Sequence, residues 1–175
     1  MKKSKIFLSI ILVVVAAFAL TACGTLDFTY VQNSDGTYTH IVKVTLTEEG
    51  VREADVGLTL GEALKALKEG FIRKDYFVSA DGNTVTARKN FDSVQALQND
   101  LIGNGIITND VKKDENAFIV KQTIFGDIKV SGKFISTNTW WFAGVLTSGG
   151  LSQINAEKIA LKLGKADTSY TFVTP

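Results

Sequence analysis

Alternation of apolar and polar residues predicts two β-hairpins in the first half of the chain. Apolar residues recur at every second position from 26 to 30 and again from 38 to 46, where His40 is the one exception, as in strands that bury one face. Asp35-Gly36 lies between these segments, and Asp-Gly favours the positive φ angles of a tight hairpin turn. Residues 76–88 repeat the arrangement around Asp81-Gly82. The pattern therefore indicates two antiparallel hairpins.

Helical spacing follows each predicted hairpin. Thr59 and Glu62 form a capping box ahead of an apolar stripe that ends near residue 70. The second stripe runs from 94 to 101 and ends in Gly103-Asn104-Gly105, a suitable helix C-cap. The charged segment 48–57 has no clear period and is interpreted as a loop or a short helical turn. The sequence thus predicts about two helices.

The second half of the chain is interpreted mainly as strands. Extended segments are predicted at 106–111, 117–125, 127–135, 158–163 and 170–173. Hairpins with interspersed helices indicate an α+β fold, here a curved, mostly antiparallel sheet with about two helices packed on it.

The chain begins with the pattern of a secretory leader. Three lysines among the first five residues precede an apolar run from 6 to 20, in which Ser9 is the one polar residue. As a helix this run would rise only about 22 Å, which is short of the roughly 30 Å hydrocarbon core of a bilayer. We therefore predict a cleaved signal peptide over residues 1–22 and a single extracytoplasmic domain over 23–175.

The leader ends in Leu20-Thr21-Ala22-Cys23, which resembles the lipobox of bacterial lipoproteins. The resemblance implies cleavage just before Cys23. It also implies a diacylglyceryl group on the Cys23 sulfur, with or without an N-acyl chain on the Cys23 amine. It places the protein on the extracytoplasmic face of the cell membrane, held by that lipid anchor. The alternative is an ordinary signal peptide with a chance cysteine near its end.

Composition narrows the class of protein further. Residues 23–175 carry 16 Lys and Arg against 18 Asp and Glu, a formal charge of −2, which gives no electrostatic footprint for nucleic acid. Cys23 is the only cysteine, so no disulfide can form within the chain and the fold must rest on core burial. About 150 residues can bury such a core.

Candidate chemistry is sparse, and we predict a protein without enzymatic activity, cofactor or metal. His40 is the only histidine, and its place on an apolar strand face indicates a core residue. No phosphate-binding loop, dinucleotide fingerprint or nucleophile elbow is present in the sequence. The densest group of carboxylates in the sequence consists of Glu48, Glu49, Glu53 and Asp55. We interpret this group as a solvated surface rather than as the catalytic pair of a glycosidase.

Trp140-Trp141-Phe142 is the candidate contact with membrane or ligand. Interpreted as a strand, three adjacent aromatics cannot all face one core, because neighbouring side chains point to opposite faces. An indole has an apolar body and one polar N–H, which suits a membrane interface or a pocket rim. The alternative puts Trp140 and Phe142 in the core and Trp141 under a neighbouring helix or loop.

Three features resemble the LppM-type lipoprotein domain: the lipobox, a first strand almost directly after it, and Asp35-Gly36-Thr37 before the second strand. The resemblance covers roughly residues 20–47 and is one of topology beyond them. It implies a membrane-tethered domain without catalysis, with lipids or envelope molecules as partners, and many members carry a further C-terminal membrane helix.

These observations predict a lipoprotein that binds a lipid or another apolar or amphipathic ligand at the membrane surface. Two alternatives stay open: an envelope protein–protein interaction module without a ligand pocket, and a carboxylate-dependent hydrolase of envelope substrates. A ligand cavity would favour the first function, and convergent carboxylates with raised pKa values would favour the hydrolase.

Overall fold

Two hairpins form most of the sheet, as the alternation predicts. The computed structural model describes residues 24–104, 107–108, 133–134, 139–163, 167–173 and 175. The strands are β1 (Gly24–Gln32), β2 (Tyr38–Leu46), β3 (Phe77–Asp81), β4 (Thr84–Phe91), β5 (Ile107–Thr108), β6 (Lys133–Phe134) and β7 (Asp167–Val173). The helices are α1 (Glu48–Glu53), α2 (Leu60–Ile72), α3 (Val94–Gly103), α4 (Thr139–Ser148) and α5 (Gln153–Leu163).

The five-stranded sheet has the order β3-β4-β2-β1-β7. Its first four strands pair antiparallel, and β7 joins the edge parallel to β1. Gly24 pairs with Leu46 at one end of the β1–β2 ladder, and Gln32 pairs with Tyr38 at the other. The helices pack on this open sheet, so the predicted α+β class is confirmed, while β5 and β6 pair separately.

Both Asp-Gly turns form as predicted. In the first, Gly36 has a φ of +83°, and Asp35 accepts hydrogen bonds from the backbone N–H and the hydroxyl of Thr37 at 2.9 and 2.7 Å. These bonds lower the pKa of the Asp35 carboxyl. In the second, Gly82 has a φ of +55° and the turn holds only Gly82 and Asn83 between the strands. Residues that tolerate positive φ therefore fix the register of both hairpins.

The capping box of α2 is confirmed. Glu62 accepts the backbone N–H of Thr59 at 2.8 Å, and the Thr59 hydroxyl accepts the N–H of Glu62 at 3.3 Å. Ala63, Leu67 and Phe71 then recur every four residues and are fully buried. The other predicted helix also forms, with Ser93 as its N-cap, and residues 48–53 form the short helix α1.

The prediction of about two helices is wrong, because the described ranges contain five. The predicted strand 158–163 is the second half of α5, and the aromatic segment lies in α4. In α5 the spacing of Ile159 and Leu163 satisfies a helix as well as a strand, and both side chains are 2% exposed. The buried Ala156 and Ala160 complete that helical face.

The helix α4 packs closely on α2. A Cβ added to Gly70 would collide with the carbonyl oxygen of Val145, and one added to Gly149 would collide with that of Ala66. The two helices therefore approach through their backbones at two points, which larger side chains would prevent.

Several predictions concern residues outside the described part of the chain. The leader 1–22 and Cys23 lie outside it, as do most of the three strands predicted between 106 and 135. Of those, only Ile107–Thr108 and Lys133–Phe134 are described, and they pair antiparallel. The predicted strand at 170–173 falls within β7 and is confirmed.

Candidate functional site

The start of β1 is the first feature of interest, because Gly24 follows directly on Cys23. Gly24 has a φ of +116°, and a Cβ at this position would collide with the carbonyl oxygen of Thr45. Leu163, the last residue of α5, would lie 3.4 Å from the same Cβ. The sheet and α5 thus hold Gly24 closely, and no linker separates the folded domain from residue 23.

The same end of the sheet is closed by the second hairpin turn. Asn83 donates its side-chain amide to the carbonyl of Leu46 at 2.8 Å and accepts the backbone N–H of Leu46 at 3.0 Å. Leu46 in turn pairs with Gly24. We call this end, defined by Gly24, Leu46, Asn83 and Leu163, the anchor end.

The aromatic segment forms the start of α4, so the strand argument for it was wrong. Trp141 and Phe142 are 4% and 1% exposed, whereas Trp140 is 74% exposed. Adjacent helical residues are only about 100° apart, so two neighbours can share the buried face while a third points outward. The alternative prediction, with Trp140 in the core, is contradicted as well.

Trp141 packs into the centre of the domain. Its ring lies 5.9 Å from that of Phe28 on β1 and 5.8 Å from that of Phe71 on α2, measured between centroids. Among the described residues, its indole N–H finds no hydrogen-bond partner. The two tryptophans therefore have different roles, and only Trp140 can reach an outside molecule in this structure.

His40 lies in the same aromatic core. Its ring stacks on Tyr30 with a centroid distance of 4.8 Å and an interplanar angle of 4°, and on Phe28 at 6.0 Å. Its Nδ1 lies 2.9 Å from the hydroxyl of Tyr76. Burial, helped by the positive charge of Lys89, lowers the pKa of His40 to about 3. His40 is thus a neutral core residue, as the sequence indicates.

A partly buried ion pair lies beside this histidine. Lys89 donates to Asp100 at 2.7 Å and to the carbonyl of Lys74 at 3.2 Å, which joins β4 to α3 and to the end of α2. The ammonium also lies 5.5 Å from the ring centre of Tyr76. Burial, followed by the charge of Asp100, raises the pKa of Tyr76. Sequence spacing does not reveal this network, because its members are far apart in the chain.

A cleft of about 490 Å³ opens between α1 and α2. Its lining combines apolar side chains with three charged ones on α1 and the loop after it, namely Val51, Leu58, Leu60, Glu48, Arg52 and Asp55. The helix α1 begins two residues after Leu46, so the cleft lies beside the anchor end. An apolar wall with a charged rim suits an amphipathic ligand.

Two carboxylates of α1 are paired at the surface. Glu49 lies 3.4 Å from Arg52, and Glu53 lies 3.3 Å from Lys162 of α5. Within the described ranges, no three His, Cys, Asp or Glu side chains are grouped so that they could hold a metal ion. The solvated-surface interpretation fits the exposed positions of Glu49 and Glu53.

Comparisons with known proteins add no relative. No protein-family model matches the chain, and neither a curated protein nor a solved structure matches it. In the part of the chain that the structure describes, no helix is both long enough and apolar enough to cross a membrane. The resemblance to LppM-type lipoproteins stays a prediction.

Proposed function

We propose that this protein is a non-enzymatic lipoprotein, anchored by acyl chains on Cys23 at the extracytoplasmic face of the cell membrane. The observation that carries the proposal is the lipobox-like Leu20-Thr21-Ala22-Cys23, followed at once by a strand that begins at Gly24. Two acyl chains hold a protein stably at a bilayer, whereas one holds it only marginally. The domain then works directly at the membrane surface.

The ligand in this proposal is a lipid or another amphipathic molecule. The cleft between α1 and α2 supports it, because Val51 and Leu58 offer apolar surface while Arg52 and Asp55 offer charges at the rim. Its position beside the anchor end would let it receive a molecule from the outer leaflet. The exposed indole of Trp140 is the second candidate contact.

An envelope interaction module is the alternative, and the outer face of the sheet favours it. The strand register places one row of residues across β3, β4, β2 and β1, namely Phe77, Arg88, Ile41 and Thr29. Phe77 is 76% exposed. A sheet face that combines an exposed aromatic ring with an arginine suits a protein partner. The hydrolase alternative has less support, since two of its four candidate carboxylates lie in exposed ion pairs.

Fractionation tests the anchor. Cys23→Ser removes the sulfur that would carry the diacylglyceryl group, so we expect the variant to lose membrane retention and to keep its leader or be cut elsewhere. Cys23→Ser protein of mature size in the membrane fraction, at the wild-type level, would overturn the proposal.

Native mass spectrometry of detergent-extracted protein tests the ligand. We expect a co-purifying lipid on the wild-type protein and its loss in Leu58→Glu, which places a charge on the apolar wall of the cleft. Gln95→Glu on the exposed face of α3 is the matched control and should keep the lipid. Wild-type protein free of lipid, or equal lipid on both variants, would favour the interaction module.

A further inference from the structure

The outward face of α5 carries apolar side chains where a surface helix normally carries polar ones. Ile154 and Leu161 are 67% and 58% exposed. They are seven residues apart, so they lie within about 20° of one another around the helix and about 10 Å apart along it. Ala156, Ile159 and Leu163 form the buried face opposite. We call Ile154 and Leu161 the outer stripe of α5.

This stripe lies close to the proposed anchor. A Cβ on Gly24 would lie 3.4 Å from the Leu163 side chain, and Leu161 belongs to the same last turn of α5. The Cα of Leu161 therefore lies within about 15 Å of the Cα of Gly24, which is bonded directly to residue 23. A domain of this size is about 40 Å across, so the stripe is on the anchored side of the molecule.

The charges around the stripe are compatible with a lipid surface. Lys158 and Lys162 flank it on one side; they donate to the carbonyl of Asp55 at 3.0 Å and to Glu53 at 3.3 Å. Glu157 flanks it on the other side and accepts a bond from Gln153 at 2.6 Å. Lysine stems can lie along an apolar surface while their ammonium groups stay in water. On α5 itself, the flanking charges thus lie at the edges of the stripe.

We propose that the outer stripe of α5 lies on the membrane, with Ile154 and Leu161 inserted at the headgroup–acyl boundary. The inference rests on acyl anchoring at Cys23, which fixes where the bilayer is. Because no linker separates Cys23 from β1, the domain cannot turn freely, and the apolar face next to the anchor meets the lipid first. The helix then lies along the interface, as amphipathic surface helices do.

Site-directed spin labelling of the acylated full-length protein tests this orientation. The chain has no other cysteine, and an acylated Cys23 cannot take a thiol label. Glu157→Cys would report from the edge of the stripe, about one helical turn from each of its two apolar residues. Gln95→Cys on α3 is the control, because α3 follows the β4 end that pairs with Tyr38, remote from Gly24. The protein is placed in vesicles of phosphatidylcholine and phosphatidylglycerol.

We expect the label at 157 to lose access to a water-soluble nickel relaxing agent by about fivefold relative to the label at 95. Adding Ile154→Ser and Leu161→Ser should restore that access while the protein stays on the vesicles. If Cys23 stays closed to the thiol label and the label at 157 is as accessible to nickel as the label at 95, the docking inference fails and acyl anchoring stands. If 23 takes the label, acyl anchoring fails and the docking inference falls with it.

Discussion

The buried histidine makes a quantitative prediction about stability and pH. His40 is fully buried among Phe28, Tyr30 and Tyr76, and its pKa is lowered to about 3 from an ordinary value of 6.5. The unfolded chain therefore binds a proton below about pH 6.5 that the native state does not bind until about pH 3. Stability is fully present above pH 6.5 and is lost progressively as the pH falls towards 3.

The size of the effect follows from the difference between the two pKa values. With 6.5 in the unfolded state and about 3 in the native state, stability should fall by about 2 kcal/mol between pH 7 and pH 5. The lowered pKa values of Asp35 and Glu62 add a loss of the same sign, but mainly at lower pH, where their carboxyls protonate.

Urea denaturation of the chain from Gly24 onward, followed by tryptophan fluorescence, measures this loss. His40→Phe is the control, since it keeps an aromatic ring and removes the titrating group. The variant should lose roughly 1–3 kcal/mol at pH 7, because Tyr76 loses its partner, and its stability should then stay nearly constant down to pH 5.

A direct check is available because His40 is the only histidine. The Hε1 and Hδ2 resonances of this imidazole in a proton NMR spectrum should not titrate above about pH 4.5 in the folded protein. A midpoint near 6.5, or equal pH dependence of wild type and His40→Phe, would refute the assignment of His40 to a sealed core.

Two further predictions concern the ion pair and the tryptophans. Lys89→Met should destabilise the domain by roughly 1–3 kcal/mol, because Asp100 is left as a partly buried carboxylate without its partner. Adding Asp100→Asn to that variant should recover part of the loss. A change below about 0.3 kcal/mol in urea unfolding of Lys89→Met would contradict this prediction. In the acylated protein, vesicles with brominated lipids should quench Trp140 in a Trp141→Phe variant and spare Trp141 in a Trp140→Phe variant. Absence of quenching at Trp140 would remove it as a lipid contact.

Local signals predicted the first half of the fold well. Asp-Gly turns need positive φ, and the Thr59–Glu62 box needs only three residues of chain, so each is readable from neighbouring positions. The ladder between Gly24 and Leu46 then follows from turn position and alternation. These elements depend on contacts within a short stretch of sequence.

The α4–α5 pair could not be predicted in the same way. Ile159, Leu161 and Leu163 alternate as in a strand, and that interpretation put all three on one face. In the helix, Leu161 points outward while the other two are buried. The pair packs through contacts that local spacing does not reveal, such as Gly70 on α2 against Val145 on α4, which are 75 positions apart.

The candidate site likewise has a part that local sequence predicts and a part that it does not. The lipobox at Cys23 is a contiguous motif and is visible in the sequence alone. The cleft between α1 and α2, the pairing of His40 with Tyr76 and the outer stripe of α5 depend on tertiary packing. For Trp140 and Trp141, the strand interpretation did not assign which indole is exposed, and its alternative placed Trp140 in the core, although Trp140 is 74% exposed.

The mass of the N-terminal peptide shows whether Cys23 carries the membrane anchor. The full chain is expressed in a bacterium that processes lipoproteins, extracted from membranes, digested and analysed by mass spectrometry. We expect the mature protein to begin at Cys23 and this residue to carry a diacylglyceryl group, with or without an N-acyl chain. A peptide that begins elsewhere, or one with an unmodified Cys23, would overturn lipid anchoring at this residue.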